Sequence, residues 1–279
     1  MHVLSIQSQL VYGYAGNSAA VPALQRADID VSAVPTVLLT NNPHYPDTAG
    51  GPMRPDTVAA HIATALERIG RPDAVITGFL GDGAIAAAVA DELATLRSRY
   101  RECPIICDPV LGDEDVGRVL DDTVLAALRD TLVPAADLIT PNRFELSELL
   151  GIELPSVATA VPAARTLIGD GGPSEVVVTG LPTANAAVAT LAVTAEAAWC
   201  VPVPHIPVRP VGTGDVFTAL LTAHRLRGRP LAEAMERAVA GLHAVLVRTH
   251  ELDREEMALV TDSARLLDPA ETFDIERLD

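Results

Sequence analysis

The stretch Gly212-Thr213-Gly214-Asp215 places two glycines and a carboxylate where an extended approach turns into a helix. Pro207 and Pro210 keep the approach extended, and Phe217 to Leu226 is a helical pattern without a breaker. Glycines at such a junction let backbone N–H groups crowd around an anion, which the helix dipole also favours. Asp215 falls in the first helical turn. A carboxylate there is suited to taking a proton beside a bound anion, and equally to capping a helix. Further polar residues punctuate the ends of β-type runs: Ser8 and Gln9, Asp108 in "CDPVLG", Thr140, Asn142 and Glu145 in "TPNRFEL", and Thr179. Singly, Asp108 before Pro109 is an ordinary turn and Asn142 to Glu145 a capping-type pair. Gathered at one sheet edge they would form a site with carboxylates for a metal and amides for phosphate.

The elements needed to gather them are legible. The runs 2–7, 73–78, 104–109, 136–141 and 175–180 are almost continuously apolar, as strands covered on both faces are. After the first run comes the loop "SQLVYGYAG", then a helix from Asn17 to about Ala27. Helices are also expected at 84–97 and 121–131, and after Pro141. Strand–helix alternation predicts an α/β fold with a doubly wound, mostly parallel sheet between helices. The runs 187–193 and 197–203 have no helix between them and predict an antiparallel hairpin at one sheet edge. From 215 to about 267 the pattern is that of three helices. Nothing marks a linker or repeat, so residues 1–279 are expected to form one domain. In such sheets ligands bind beyond the carboxyl ends of the strands, where the polar residues above fall.

Composition narrows the chemistry. A net charge of −17 argues against a nucleic-acid-binding surface, which needs a basic stripe. No apolar run is long enough to span a membrane and no signal-type segment opens the chain, so a cytoplasmic protein is expected. Cys103, Cys107 and Cys200 form neither a CxxC pair nor a zinc set and read as core thiols of a reducing compartment. All 20 basic residues are arginine, which excludes a P-loop lysine and a side-chain Schiff base.

The ordered motifs "SIQSQLVYGYAGNSAA", "CDPVLG", "TPNRFEL" and "PVGTGDVF" resemble the pyridoxal kinases of the ribokinase-like superfamily, over most of the chain. The Gly-Thr-Gly-Asp piece is shared across that superfamily, whereas the opening motif and "TPNxxEL" look particular to the pyridoxal branch. The resemblance implies a ribokinase-like fold, and phosphorylation by ATP of the 5′-hydroxymethyl group of pyridoxal, pyridoxine or pyridoxamine. It further implies Mg²⁺, allows a monovalent cation, and points to a homodimer. Carried onto this chain, Asp215 is the base, and the amides of Gly212, Thr213 and Gly214 form the anion hole. Asp108 and Glu145, supported by Asn142, hold the metal–phosphate end through water, as Mg²⁺ prefers. Thr140 and Thr179 line the nucleotide side, with Val203 in the "VPVP" stretch near the base. Ser8 faces the pyridine ring, Tyr12, Thr36 and Phe79 belong to the same pocket, and Pro43 and His44 close over it.

Departures from the family pattern lie in that pocket. Leu38 stands where glutamine is usual, Asn42 where histidine is, Asp47-Thr48 where a basic or polar residue precedes tryptophan, and Phe79 where tyrosine is. Thr179 stands where some members carry a lysine. Each change alters a polar contact, so the preferred vitamer stays open. Two other readings stay open beside it: a hydroxymethylpyrimidine kinase of the same fold, disfavoured by the opening motif, and a non-catalytic binder of vitamin B6 or ATP.

Overall fold

The computed structural model describes residues 1–169, 171–183, 187–261 and 263–279. The chain begins with β1 (His2–Leu10), α1 (Asn17–Arg26), β2 (Asp30–Leu39), β3 (Gly50–Pro52) and α2 (Pro55–Ile69). It continues through β4 (Ala74–Thr77), α3 (Gly83–Arg99), β5 (Ile105–Cys107) and a small ribbon, β6 (Gly112–Asp113) with β7 (Gly117–Arg118). There follow α4 (Asp122–Ala127), a π turn at Leu128–Leu132, α5 (Val133–Ala135), β8 (Leu138–Ile139), α6 (Arg143–Leu150) and α7 (Val157–Ile168). Last come β9 (Glu175–Pro182), β10 (Ala187–Val193), β11 (Ala198–Pro204), α8 (Thr213–Leu226), α9 (Leu231–Glu251) and β12 (Glu276–Arg277).

Apart from the β6–β7 ribbon, the described strands form one ten-stranded sheet in the order β12-β11-β10-β9-β8-β5-β4-β1-β2-β3. Strands β2, β1, β4, β5, β8 and β9 run parallel. Successive residues of a strand point to opposite faces, and both faces are covered. Leu4, Ile6, Val75, Val176 and Val178 are buried with α2, α3, α6 and α7, while Val3, Ile76 and Val177 are buried with α1, α8 and α9. That two-sided burial is why the strands read as continuous apolar runs. The chain leaves β1 toward β2 on one side and later returns to β4 on the other, so a topological switch point lies at the carboxyl end of β1.

The doubly wound, mostly parallel expectation holds, and four details are corrected. First, antiparallel pairing occurs at both edges: β10, β11 and β12 at one, and β3 against β2 at the other. Second, "SQL" is not loop. The parallel pairing with β2 carries β1 on to Leu10 past an irregularity between Gln7 and Gln9, because β2 is itself long. Third, the region from 215 to about 267 holds two long helices and a 3-10 turn at Ser263–Leu266 in place of a third helix, residue 262 lying outside the described residues. Helix 121–131 is interrupted as well, its second half being the π turn.

The three cysteines are buried free thiols, as read from the sequence. No described helix is long and apolar enough to cross a membrane.

Candidate active site

Helix α8 begins at a turn that glycine makes possible. Gly212 is its N-cap residue with φ +85°, a conformation L side chains rarely adopt, and an added Cβ would lie 2.0 Å from the Tyr14 carbonyl oxygen. The first turn leaves the amides of Thr213, Gly214 and Asp215 without an acceptor among the described residues, and the helical ladder starts with Val216 N donating to Gly212 O at 3.0 Å. Open amides plus the positive end of the helix dipole make an anion site. Asp215 is not the cap. Its Oδ2 accepts the backbone N–H of Gly16, in the loop after β1, at 2.9 Å. Burial pushes its carboxyl up to about 6, and the Gly16 amide partly offsets that rise.

Asp108 follows β5 and is buried. Thr218, one turn beyond Asp215 on α8, donates to Asp108 Oδ2 at 3.4 Å and shares a 2.8 Å hydrogen bond with Thr140. An added Cβ on Gly214 would lie 3.5 Å from Asp108 Oδ2, which places the carboxylate against the glycine turn. Burial and the negative charges of Glu145 and Asp215 hold Asp108 well above the usual carboxylate range.

Glu145 and Asn142 form a capping box at the start of α6. Asn142 Oδ1 accepts from Glu145 N at 2.8 Å, and Glu145 Oε2 accepts from Asn142 N at 2.8 Å. The other Glu145 oxygen accepts from Leu111 N at 3.0 Å, and Asn142 donates to the Gly112 carbonyl at 2.8 Å. The pair therefore caps a helix and also fixes the 111–112 turn after Asp108. Burial pushes Glu145 up to about 7 against these amides.

Three carboxylates thus gather, and among the described residues no arginine pairs with any of them. Raised carboxylates without a counter-charge suit a divalent cation, which would draw them back to the ionised form. Among the described residues no three His, Cys, Asp or Glu side chains converge on one point as direct ligands would. The donor set fits a metal held by Asp108 and Glu145 through water.

The remaining expected residues divide. Thr179 joins the site: its N donates to Pro141 O at 3.0 Å, and it bridges to Asn142. Ser8 is buried at the irregularity in β1, and its hydroxyl lies 2.5 Å from where a Cβ on Gly16 would stand. Thr36 is buried with its hydroxyl donating to the Phe79 carbonyl at 2.6 Å, so it fixes Phe79 and has no free proton for a ligand. Pro43 and His44 are exposed on the 41–48 segment, where buried Asn42 accepts from His44 N at 3.1 Å. The Tyr12 ring meets Tyr45 edge-on at 6.1 Å. Val203 is partly buried against the core layer that contains α1, α8 and α9. Sequence reasoning missed Gly16 as a donor, Asn17, which ties β1 to β2 through the Gln7 and Val34 carbonyls, and Thr218. Gly16 and Asn17 fall in the opening motif and Thr218 lies three residues from Asp215 on one helical face, but no local pattern gives the partners of any of them.

The chain matches the family described as phosphomethylpyrimidine kinase over residues 12–259. It is 36% identical to pyridoxal kinase PdxY of Rubrobacter xylanophilus, across 100% of this chain and 98% of that one. It is 39% identical to the pyridoxine/pyridoxal/pyridoxamine kinase of Bordetella pertussis, across 92% of each. The chain belongs to the pyridoxal kinase family. Pyridoxal kinase from Leishmania donovani, solved in complex with ADP and pyridoxamine, superposes with a TM-score of 0.92 at 30% identity, covering 100% of this chain and 99% of that one. Membership accounts for the ribokinase-like fold and for the order in which the site's motifs occur. A cavity of about 390 Å³ lies at the opposite end of the sheet, beside the Arg225–Glu175 ion pair, and shares none of the site residues.

Proposed function

We propose that this chain transfers the γ-phosphoryl group of ATP to the 5′-hydroxymethyl group of a vitamin B6 vitamer. The observation that carries the reading is the Asp215 carboxylate, fixed by the Gly16 amide at the edge of an amide-lined turn and beside Asp108. A hydroxyl next to Asp215 can give up its proton while the turn holds the phosphoryl group it attacks. Phosphoryl transfer asks for little else than positioning and charge stabilisation. The kinase relatives and the vitamer-bound neighbour support the same reading.

In this proposal Asp215 takes the hydroxyl proton, and the Gly212, Thr213 and Gly214 amides hold the transferring group. Asp108 and Glu145, with Asn142 behind them, hold Mg²⁺ through water; the cation supplies positive charge to the phosphates. Thr140 and Thr179 face the nucleotide and Val203 lies toward its base. Ser8, Tyr12, Thr36, Pro43, His44 and Phe79 surround the vitamer, Thr36 acting through Phe79. One domain, a homodimer and a cytoplasmic location belong to the same reading.

The test is a panel of pyridoxal, pyridoxine, pyridoxamine and hydroxymethylpyrimidine with ATP and Mg²⁺, with phosphorylated product detected directly. At least one vitamer should be turned over efficiently and the pyrimidine poorly. Efficient turnover of the pyrimidine alone would replace this reading with the other branch of the fold. Pyridoxal bound in equilibrium dialysis without any phosphorylation would make the chain a binder.

A second expectation concerns the nucleotide side. With no lysine in the chain, the Thr179 hydroxyl offers at most one neutral hydrogen bond to a phosphate, and charge-assisted bonds are about twice as strong. Thr179→Lys should therefore tighten binding of a non-hydrolysable ATP analogue by roughly 5- to 30-fold in isothermal titration. Unchanged affinity would place position 179 away from the phosphates.

A further inference from the structure

Glu256, just beyond α9, carries out none of the steps above, yet it touches both the 11–16 loop and the 41–48 segment. Its Oε2 accepts the backbone N–H of Tyr14 at 3.1 Å, and its Oε1 accepts the Tyr45 hydroxyl at 3.0 Å, which lies at a longer 3.4 Å from Glu255 Oε2. Gly13 makes this approach possible: its φ is +91°, and an added Cβ would lie 2.8 Å from Glu256 Oε2. Burial and the carboxylates of Glu256 and Glu255 push the Tyr45 hydroxyl up to about 12, so it stays a donor.

The far side of the same loop meets the catalytic turn. The Tyr14 carbonyl and the Ala15 Cα occupy the space a Gly212 side chain would need, at 2.0 and 3.1 Å. Two residues after Tyr14, the Gly16 amide donates to Asp215. The loop 11–16 is therefore a common wall, with Glu256 and Tyr45 on one side and Asp215 with Gly212 on the other. A displacement of the loop reaches the base directly.

We propose that Glu256 is a positioning residue that fastens the 41–48 segment to the 11–16 loop, so that closure over the vitamer and alignment of Asp215 are set together. This rests on the vitamer-kinase reading for its ligand but not for its geometry. A carboxylate suits the task because it accepts from an amide and a hydroxyl at once. Glutamine can accept from Tyr14 with its oxygen and donate to the Tyr45 oxygen with its amide, so it should restore part of the link. Alanine restores neither bond and leaves Tyr45 only its longer contact, at 3.4 Å, to Glu255 Oε2.

The test compares full-length wild type with Glu256→Ala, Glu256→Gln and Tyr45→Phe. In the ligand-free proteins, Glu256→Ala should speed amide hydrogen exchange in 11–16 and 41–48 by about tenfold or more, and Tyr45→Phe in 41–48 alone. Exchange in the parallel strands should not change. With substrates, Glu256→Ala should raise the vitamer KM by about 5- to 30-fold and lower kcat by about tenfold, leaving the ATP KM within about twofold. Glu256→Gln should fall between, and Tyr45→Phe should raise the vitamer KM with kcat retained. Unchanged exchange in both segments overturns the proposal, as does a uniform loss that follows thermal stability with no split between the two KM values. Should the alanine variant fail to fold, the other two decide on the same criteria. Should wild type phosphorylate no vitamer, the functional reading fails and exchange alone decides the link.

Discussion

Replacing Asp215 with asparagine should leave ATP and vitamer binding in place and lower kcat by about 10²–10⁴-fold. Asparagine keeps an oxygen for the Gly16 amide but cannot accept the hydroxyl proton. Stability separates this outcome from trivial damage. Burial raises the Asp215 carboxyl from its ordinary 3.8 to about 6, so the folded state holds that proton more tightly than the unfolded state does. Stability from this group is lost as pH rises between those values, and at neutral pH the ionised group is a cost. Asp215→Asn removes the cost, so its Tm at pH 7 should equal or exceed that of wild type while its turnover collapses. A divalent cation bound beside Asp108 would draw the carboxyl down and so set the acid limb of kcat at or below about pH 6. Near wild-type turnover in the variant would end the assignment of Asp215 as base.

The site was legible wherever its logic was local. Asn142 and Glu145 are three residues apart, and that spacing alone predicts the capping box the structure contains. Gly212 to Asp215 announced a loop entering a helix because the flanking prolines and apolar run bracket it. The parallel strands could be read because burial on both faces removes polar alternation. What escaped notice joins residues far apart. The Gly16–Asp215 bond spans 199 residues and the Tyr14–Glu256 bond 242, and no local pattern marks either. The short edge strands β3 and β12 exist only by pairing with longer neighbours, so periodicity cannot find them. Thr36 shows a subtler limit. The resemblance puts Thr36 in the vitamer pocket, and only the fold shows that its hydroxyl is directed to the Phe79 carbonyl.

The glycine turn allows a second, independent test. Gly212→Ala meets two obstacles at once: a positive φ, and a Cβ placed 2.0 Å from the Tyr14 carbonyl oxygen. The obstructing atom belongs to backbone, so no side-chain rotation relieves it, and either the turn or the 11–16 loop must move. A shift of about 1 Å near reacting groups costs on the order of 10²-fold in rate. Gly212→Ala should therefore lower kcat by about 10²-fold or more, through the open amides on one side and the Gly16 contact to Asp215 on the other. Gly151, with φ +66° at the end of α6 and nothing within 4 Å of an added Cβ, separates strain from displacement. Gly151→Ala carries the backbone penalty alone, about 1–2 kcal/mol of stability, and should leave turnover unchanged. If Gly212→Ala keeps the kcat of wild type at a Tm lowered no more than in Gly151→Ala, the turn is only a helix entry and its amides do not hold the transferring phosphoryl group.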